Sequence, residues 1–271
     1  MDSAIVGTGP ALIDIGLNLT HESFAHDREA LLDRAAAVGV THMLITGSDV
    51  PHSEAALHLA KQYPDRLRST AGIHPHHAKD FNDERLPALR TLLANPLVLA
   101  VGECGLDYYR NFSTHEQQER VLRAQLELAI STNKPVFLHE RDAHDAFVSI
   151  LQDYLPQLRG GVAHCFTGTA DQARRYVELG LHVGVTGWIC DERRGAALRE
   201  AVRDIPLDRL LIETDAPYLI PRDLKPKPRS HRNESMYLPA VLARLATCRG
   251  ESPERLAAAT TANAQRLFGW Q

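Results

Sequence analysis

The chain has 271 residues, of which 44% are apolar and 24% are charged, and its formal net charge is −4 at pH 7. These values are typical of a globular protein and argue against a broad basic surface that wraps duplex DNA. No apolar run reaches the roughly 18 residues of a membrane helix, and residues 1–10 lack the features of a signal peptide, so we expect a monomeric cytoplasmic protein.

Short β-branched or apolar runs recur about every 30 residues, which is the length of one strand–helix unit. Several are apolar almost throughout, such as Leu-Val-Leu-Ala-Val at 97–101, and this suits a strand buried on both faces of a parallel sheet. We predict eight strands, at 11–18, 41–47, 67–74, 97–103, 135–139, 161–164, 181–187 and 210–215.

The segments between these runs carry the spacing and the end signals of helices. In the first such segment, the apolar side chains on one face are Leu31, Leu32, Ala35 and Val38. Gly39 follows as a left-handed C-terminal cap. Later helix starts are predicted at two capping boxes and a serine–proline pair: Thr114 with Gln117, Thr169 with Gln172, and Ser252 with Pro253.

Eight strand–helix cycles without a break in composition predict an α/β fold and favour a closed (β/α)8 TIM barrel. An open doubly wound sheet is the alternative. It is disfavoured because no glycine-rich nucleotide fingerprint follows the first strand. We expect residues 1–271 to form a single barrel domain, with residues 1–10 as a flexible N-terminal extension.

One segment, 217–239, interrupts the pattern because its prolines exclude a regular helix. We interpret it as a long ordered loop after the eighth strand. It is either a solvated charged loop or, given its place at the barrel mouth, a loop that binds phosphate. Its candidate phosphate contacts are Arg222, Lys225 and Lys227.

Four polar residues directly follow apolar runs: Glu103, His139, His164 and Asp215. In a barrel these positions lie at the carboxyl ends of strands four, five, six and eight, where side chains converge on one mouth. One such residue alone is often only a hydrogen-bonded core residue. Two carboxylates and two imidazoles together are costly to bury without a cation. Such ligands suit zinc, manganese or iron, whereas oxygen-rich sites favour magnesium.

Residues near these strand ends are candidates for supporting roles. His74 ends the third strand and points to the same mouth, although a structural role in a tight turn is the alternative. His76 and His77 are expected to face solvent, as are the other histidines away from strand ends. Asp107 and Glu213 are candidates to orient a ligand or to activate water.

The loop after the fourth strand carries Tyr108, Tyr109 and Arg110. Aromatic and guanidinium groups stack on nucleobases, and a guanidinium also binds phosphate. We therefore take Tyr108 and Arg110 as candidate substrate contacts, with simple packing over the rim as the alternative.

The phrases Gly-Glu-Cys-Gly-Leu-Asp at 102–107, His-Cys-Phe-Thr-Gly at 164–168 and Glu-Thr-Asp-Ala-Pro at 213–217 resemble those of the TatD family of metal-dependent DNases. The match runs in order over nearly the whole chain after about residue 11. The resemblance implies an amidohydrolase-like TIM barrel and 3′–5′ exonuclease activity on DNA, with RNA as a second substrate. It also implies metal binding by Glu103, His139, His164 and Asp215, and a catalytic role for His74.

One departure from the family pattern concerns the metal. Many members carry His-x-His at the end of the first strand, where this chain has Gly16 and Asn18. One of two metal sites then keeps only Glu103, Asp215 and, as a weak ligand, the amide oxygen of Asn18. Such hard oxygen ligands favour Mg²⁺, with Mn²⁺ as a substitute and Zn²⁺ as a competing occupant. Ser235 replaces a proline common in relatives, and we expect it to affect only its loop.

The predicted reaction is phosphodiester hydrolysis at the 3′ end of a single strand. Asp215 would orient or deprotonate water, Glu103 would hold the metal, and His74 would bind the phosphate or protonate the leaving group. A metal-dependent hydrolase of small amides, esters or lactones would share these ligands. A barrel that has lost its activity and serves as a scaffold is a third hypothesis. The basic loop argues against the small-molecule hydrolase, and the intact ligand set argues against the scaffold.

Overall fold

The computed structural model describes residues 11–82 and 84–270, so the predicted extension at 1–10 lies outside the described residues. Eight strands form one sheet in the order β1 to β8, and each neighbouring pair is parallel. The strands are β1 (Leu12–Leu17), β2 (Val40–Ile45), β3 (Leu67–Ala71), β4 (Val98–Asp107), β5 (Val136–Arg141), β6 (Gly161–Ala163), β7 (His182–Val185) and β8 (Leu210–Ile212).

The first and last strands meet and bring the sheet round into a barrel. Leu17 forms a parallel bridge with Ala216, and the backbone N–H of Asn18 donates to the Ala216 carbonyl at 2.8 Å. The Asp215 amide donates to the Gly16 carbonyl at 2.8 Å. The predicted TIM barrel is therefore confirmed over the predicted alternative of an open sheet.

Helices connect successive strands and surround the barrel, as expected where parallel strands need crossovers. They are α1 (Arg28–Ala37), α2 (Val50–Gln62), α3 (Arg85–Leu93), α4 (His115–Thr132), α5 (His144–Tyr154), α6 (Ala170–Glu178), α7 (Ala196–Ala201), α8 (Leu238–Arg249) and α9 (Pro253–Phe268). Both predicted capping boxes are confirmed, at the starts of α4 and α6. Among the described helices, none is long and apolar enough to cross a membrane.

Two local predictions are wrong. Val38 was placed on the buried face of α1, but it follows the helix and 40% of its surface is exposed. The long loop after β8 ends at Glu234, earlier than predicted, and a short 3-10 turn at Ser235–Tyr237 leads into α8. Pro239 lies in the first turn of α8, where a missing backbone N–H costs no helical hydrogen bond.

The C-terminal helix covers the end of the barrel where the strands begin. The Thr261 hydroxyl donates to the Ala11 carbonyl at 2.7 Å, and the Asn263 side chain donates to the Leu210 carbonyl at 2.9 Å. Apolar side chains of α9 and its end join the strand residues in one buried cluster: Ala264, Leu267, Phe268 and Trp270. Because this end is covered, the carboxyl ends of the strands form the accessible mouth of the barrel.

Candidate active site

The barrel brings the four predicted strand-end residues to one mouth. Glu103 lies in β4 and His139 in β5, whereas His164 directly follows β6 and Asp215 follows β8 by three residues. Parallel strands share one carboxyl edge, so residues far apart in sequence become neighbours there.

Glu103 is the centre of this cluster. Its Oε1 atom lies 2.8 Å from His164 Nε2, 3.1 Å from His139 Nδ1 and 3.3 Å from His74 Nε2. Burial alone would raise the pKa of Glu103, but the imidazoles of His74 and His164 outweigh it and hold that pKa well below its usual value. The cluster is therefore built around an ionised carboxylate that faces three imidazoles.

The donor set fits a divalent cation. Ligand atoms of His74, Glu103 and His139 all lie within 4.8 Å of one another, as the ligands of one ion must. Imidazole nitrogen and carboxylate oxygen are ordinary ligands for transition metals. His74, which was expected to act in catalysis, thus belongs to the group of residues able to hold the metal.

Asp215 faces the same cluster from the other side of the mouth. Its Oδ1 atom accepts a hydrogen bond from Asn18 Nδ2 at 3.0 Å, and no donor among the described residues bonds to the amide oxygen of Asn18. Burial raises the pKa of Asp215 to about 7. Asp215 adopts a left-handed backbone with φ of 54°, a conformation that is strained for a non-glycine residue and is concentrated at functional sites.

Glu213 supports His164 from beneath. Its Oε2 atom lies 3.3 Å from His164 Nδ1, and its other oxygen accepts the backbone N–H of Cys165. The Glu213 side chain is fully buried and packs against the backbone of Gly16 and Gly184. A Cβ at either glycine would lie within 2.4 Å of a Glu213 oxygen. The space that a histidine at position 16 would need is therefore filled by Glu213.

The prediction that His76 faces solvent is wrong. His76 Nε2 lies 2.7 Å from Asp107 Oδ2, and the His139 Nε2 atom lies 3.5 Å from the same oxygen. Asp107 therefore connects His76 to the metal-binding group. The other histidines away from strand ends were also expected on the surface, yet His182, at the start of β7, is buried. The sequence did offer one indication that His76 belongs to the site, because it lies only two residues after His74.

A cavity of about 600 Å³ opens beside the cluster and reaches His139 and Asp215. Of the five predicted substrate contacts, Arg110 lines it. Tyr108 instead stacks on His115 with ring centres 3.5 Å apart. Tyr109, from the loop that the sequence analysis considered, also lines the cavity. The sequence alone did not single out four further lining residues as site residues: Arg141, Cys165, Trp188 and Tyr218.

The basic residues of the loop after β8 lie outside this cavity. Arg222 Nε pairs with Asp191 Oδ2 at 3.2 Å. Lys225 borders a separate shallow pocket beside α8, and Lys227 is exposed. The structure therefore does not bring Arg222, Lys225 and Lys227 to the cluster around Glu103.

A buried carboxylate–imidazole cluster at the carboxyl end of a parallel eight-stranded barrel is typical of metal-dependent hydrolases. Residues 13–269 match the family model described as TatD related DNase. The chain belongs to this family.

Relatives and solved structures agree with this assignment. The chain is 53% identical to the 3′–5′ ssDNA/RNA exonuclease TatD of Pantoea vagans and 51% identical to that of Salmonella typhimurium. Each match spans 257 residues and covers 95% of this chain, with 99% and 98% of the respective relatives. The crystal structure of YJJV, a TatD homologue from Escherichia coli K12, superposes with a TM-score of 0.88 at 32% identity. The superposition covers 96% of this chain and 98% of the YJJV chain.

Proposed function

We propose that this protein is a metal-dependent 3′–5′ exonuclease that hydrolyses the phosphodiester bonds of single-stranded DNA, with RNA as a second substrate. The observation that carries the proposal is the buried Glu103 cluster at the barrel mouth, in a chain more than half identical to relatives named for this activity. The proposed substrate is thus the 3′ end of a single strand, bound by a monomer.

The proposed ligands of the metal are Glu103, His139, His164 and Asp215, with Asn18 as a weak ligand. When bound, a divalent cation supplies positive charge to the phosphoryl oxygens and acidifies water. We propose Mg²⁺ as the ion used, because oxygen ligands from Glu103, Asp215 and Asn18 suit it. Mn²⁺ would substitute, and Zn²⁺ would compete for the imidazoles.

The chain's own groups then divide the proton transfers. Asp215 lines the cavity beside the cluster, so its carboxylate is suited to orient the attacking water or to accept its proton. Burial lowers the pKa of His74 to about 4, so its imidazole is neutral at pH 7. A neutral imidazole suits metal binding or a hydrogen bond to the phosphate better than proton donation to the leaving group. Glu103 holds the imidazoles in place around the site.

Substrate contacts are proposed at two distances from the reacting phosphate. Arg110 lines the cavity, and Tyr108 on the same loop lines a separate pocket. We propose that both residues contact the terminal nucleotides. Arg222, Lys225 and Lys227 would contact phosphates further along the strand. Phosphate contacts of this kind add affinity that falls as salt rises.

We propose the cytoplasm as the location of the reaction. Each of the four cysteines is a free thiol. Free thiols suit a reducing compartment.

The test of this function is degradation of 3′-labelled and 5′-labelled single-stranded DNA with EDTA, Mg²⁺, Mn²⁺ or Zn²⁺. We expect stepwise shortening from the 3′ end that needs Mg²⁺ or Mn²⁺ and is lost in Glu103→Ala. An exposed carboxylate on α1, Asp33, provides the matched control Asp33→Ala, which should retain full activity. Turnover of small lactones or amides instead of DNA would support the small-molecule hydrolase. Absence of turnover of every substrate would favour the scaffold.

A further inference from the structure

Three aromatic side chains line the cavity, and two of them, Tyr109 and Trp188, come from different sides of the barrel mouth. Tyr109 follows β4 and Trp188 follows β7, and both line the cavity that reaches His139 and Asp215. In a ring of eight strands, β4 and β7 are three places apart, so their loops rise from nearly opposite sides. The cavity volume of about 600 Å³ falls within the roughly 300–1,000 Å³ of ligand sites.

Asp107 connects the turn that carries Tyr109 to the histidines of the active site. Asp107 Oδ1 accepts the backbone N–H groups of Tyr109 at 3.0 Å and of Arg110 at 2.8 Å. The other oxygen of Asp107 contacts His76, so this turn and the histidine cluster share one carboxylate. Tyr109 is nevertheless 57% exposed, so its side chain is accessible to a ligand in the cavity.

Arg141 lies over the Tyr109 ring, with its guanidinium carbon 3.9 Å from the ring centre. Among the described residues, no carboxylate oxygen lies within 4.0 Å of the guanidinium of Arg141 or Arg110. By contrast, Arg222 on the neighbouring loop is paired with Asp191. The arginines at the cavity thus keep their hydrogen-bond donors available for a phosphate.

Trp188 is held in the same manner on the other side. Its backbone N–H donates to the Thr186 hydroxyl at 3.3 Å, and its indole N–H donates to the Arg194 carbonyl at 3.2 Å. The guanidinium carbon of Arg194 lies 4.2 Å from the centre of the ring. Because the only polar atom of the indole is already satisfied, what Trp188 offers the cavity is flat apolar surface.

We propose that Tyr109 and Trp188 form a nucleobase subsite, in which bases next to the reacting phosphate stack on these rings. Arg141 and Arg110 bind the adjoining phosphates. The proposal rests on the exonuclease function and adds how the strand is held. Stacking accepts any base, so it predicts little sequence preference. It also favours a single strand, because the faces of bases inside a duplex are covered by the bases stacked above and below them.

The kinetic test compares ordinary oligonucleotides with ones that lack a base at the last or the second-last nucleotide. We expect Tyr109→Ala and Trp188→Ala to lower kcat/KM about tenfold on ordinary DNA. Each variant should lose little on the oligonucleotide that lacks the base its ring would stack on. Tyr109→Phe and Trp188→Phe keep a ring and should stay near the wild-type rate.

Tryptophan fluorescence gives a second, direct measurement, because the chain has only two tryptophans. Trp270 is buried in the cluster at the opposite end of the barrel, so Trp188 would report stacking. In Asp215→Asn with metal present, binding of oligothymidylate should quench the fluorescence. The quench should vanish when Trp188→Phe is added and persist when Trp270→Phe is added instead.

Two results would overturn the subsite. One is an equal loss of kcat/KM on ordinary and base-lacking DNA in both alanine variants. The other is saturable binding, followed by fluorescence anisotropy of labelled DNA, without any quench of Trp188. If the wild type cleaves no oligonucleotide at all, the exonuclease function itself fails, and this outcome is distinct from both.

Discussion

The Ser235 hydroxyl donates a hydrogen bond of 2.7 Å to Oδ2 of Asp14, a residue 221 positions earlier in the chain. The same carboxylate accepts the Thr214 hydroxyl at 2.6 Å and the Thr214 backbone N–H at 2.9 Å. Thr214 directly precedes Asp215, so this buried carboxylate fixes the backbone that carries a proposed active-site residue. The prediction that Ser235 affects only its own loop is therefore wrong.

Removal of the Ser235 hydroxyl should destabilise the fold. In Ser235→Ala, the buried Asp14 carboxylate loses one of its donors, and we expect the free energy of unfolding to fall by about 1–2 kcal/mol. Urea denaturation measures this value. Thr247→Ala removes an exposed hydroxyl that bonds only within α8, and its effect should stay within about 0.5 kcal/mol. Equal stabilities of Ser235→Ala and wild type would contradict the role of this hydrogen bond.

Asp14 should also make stability depend on pH. Burial raises its pKa from 3.8 to about 6 in the folded state, so the folded state binds the proton more tightly than the unfolded state. The contribution of Asp14 to stability therefore falls as pH rises from about 4 to 6. Asp14→Asn removes this titration and keeps the shape.

As pH rises from about 4 to 6, the stability of Asp14→Asn minus that of wild type should increase by about 3 kcal/mol. Denaturation of both proteins at pH 4, 5, 6 and 7 tests the prediction, because other titrating groups cancel in the difference. A difference that stays constant with pH would show that Asp14 does not titrate there.

The contact between Gly16 and Glu213 should be sensitive to a single methyl group. A Cβ at position 16 would lie 2.3 Å from Glu213 Oε2, so Gly16→Ala must displace that carboxylate. Because Glu213 orients His164, we expect metal affinity to fall about 10–100-fold. Titration calorimetry with Mn²⁺ measures the affinity.

The double variant Gly16→Ala with Glu213→Ala tells whether the clash is the cause. Removing the Glu213 side chain opens the space, so the double variant should melt at a higher temperature than Gly16→Ala alone. Its metal affinity should remain low, because His164 has lost its partner. If the double variant is less stable than either single variant, the steric explanation fails.

Metal binding should release protons near neutral pH. Burial raises the pKa of Asp215 to about 7, and the carboxylates of Glu103 and Glu213 outweigh burial and raise the pKa of His164 well above its usual value. Ligands must bind in their deprotonated form, so the metal displaces these protons and binds more tightly as pH rises through 7. Calorimetry in two buffers of different ionisation enthalpy measures the release.

Asp215→Asn should reduce the number of protons released, whereas Asp33→Asn on the exposed face of α1 should leave it unchanged. A release that is the same in Asp215→Asn and wild type would assign the protons to other groups.

The two sets of basic residues should differ in how their effects depend on substrate length. Arg110 lines the cavity, so Arg110→Ala should lower kcat/KM on a dinucleotide and on a long strand alike. Lys225 and Lys227 lie outside the cavity, so alanine at either position should weaken the binding of long strands only. The salt dependence of that binding should become smaller. A loss on the dinucleotide in Lys225→Ala or Lys227→Ala would place those residues at the reacting end.

Much of the fold follows from local sequence. Apolar strands such as 97–101 and the capping boxes of α4 and α6 depend on residues a few positions apart, so the pattern alone predicts them. The prediction that Glu103, His139 and His164 lie towards the carboxyl ends of their strands follows from the same periodicity, although β4 continues to Asp107 and β5 to Arg141. What this pattern could not give is the distance between their atoms.

Contacts across the barrel were decided only by the tertiary structure. The hydrogen bond between Asp14 and Ser235, the filling of the space beside Gly16 by Glu213, and the pairing of His76 with Asp107 each join separate strands or loops. No short-range pattern encodes them, because they exist only after the barrel closes and fixes the order of its strands. For the same reason the sequence located the mouth of this protein, whereas the folded chain decided which side chains meet there.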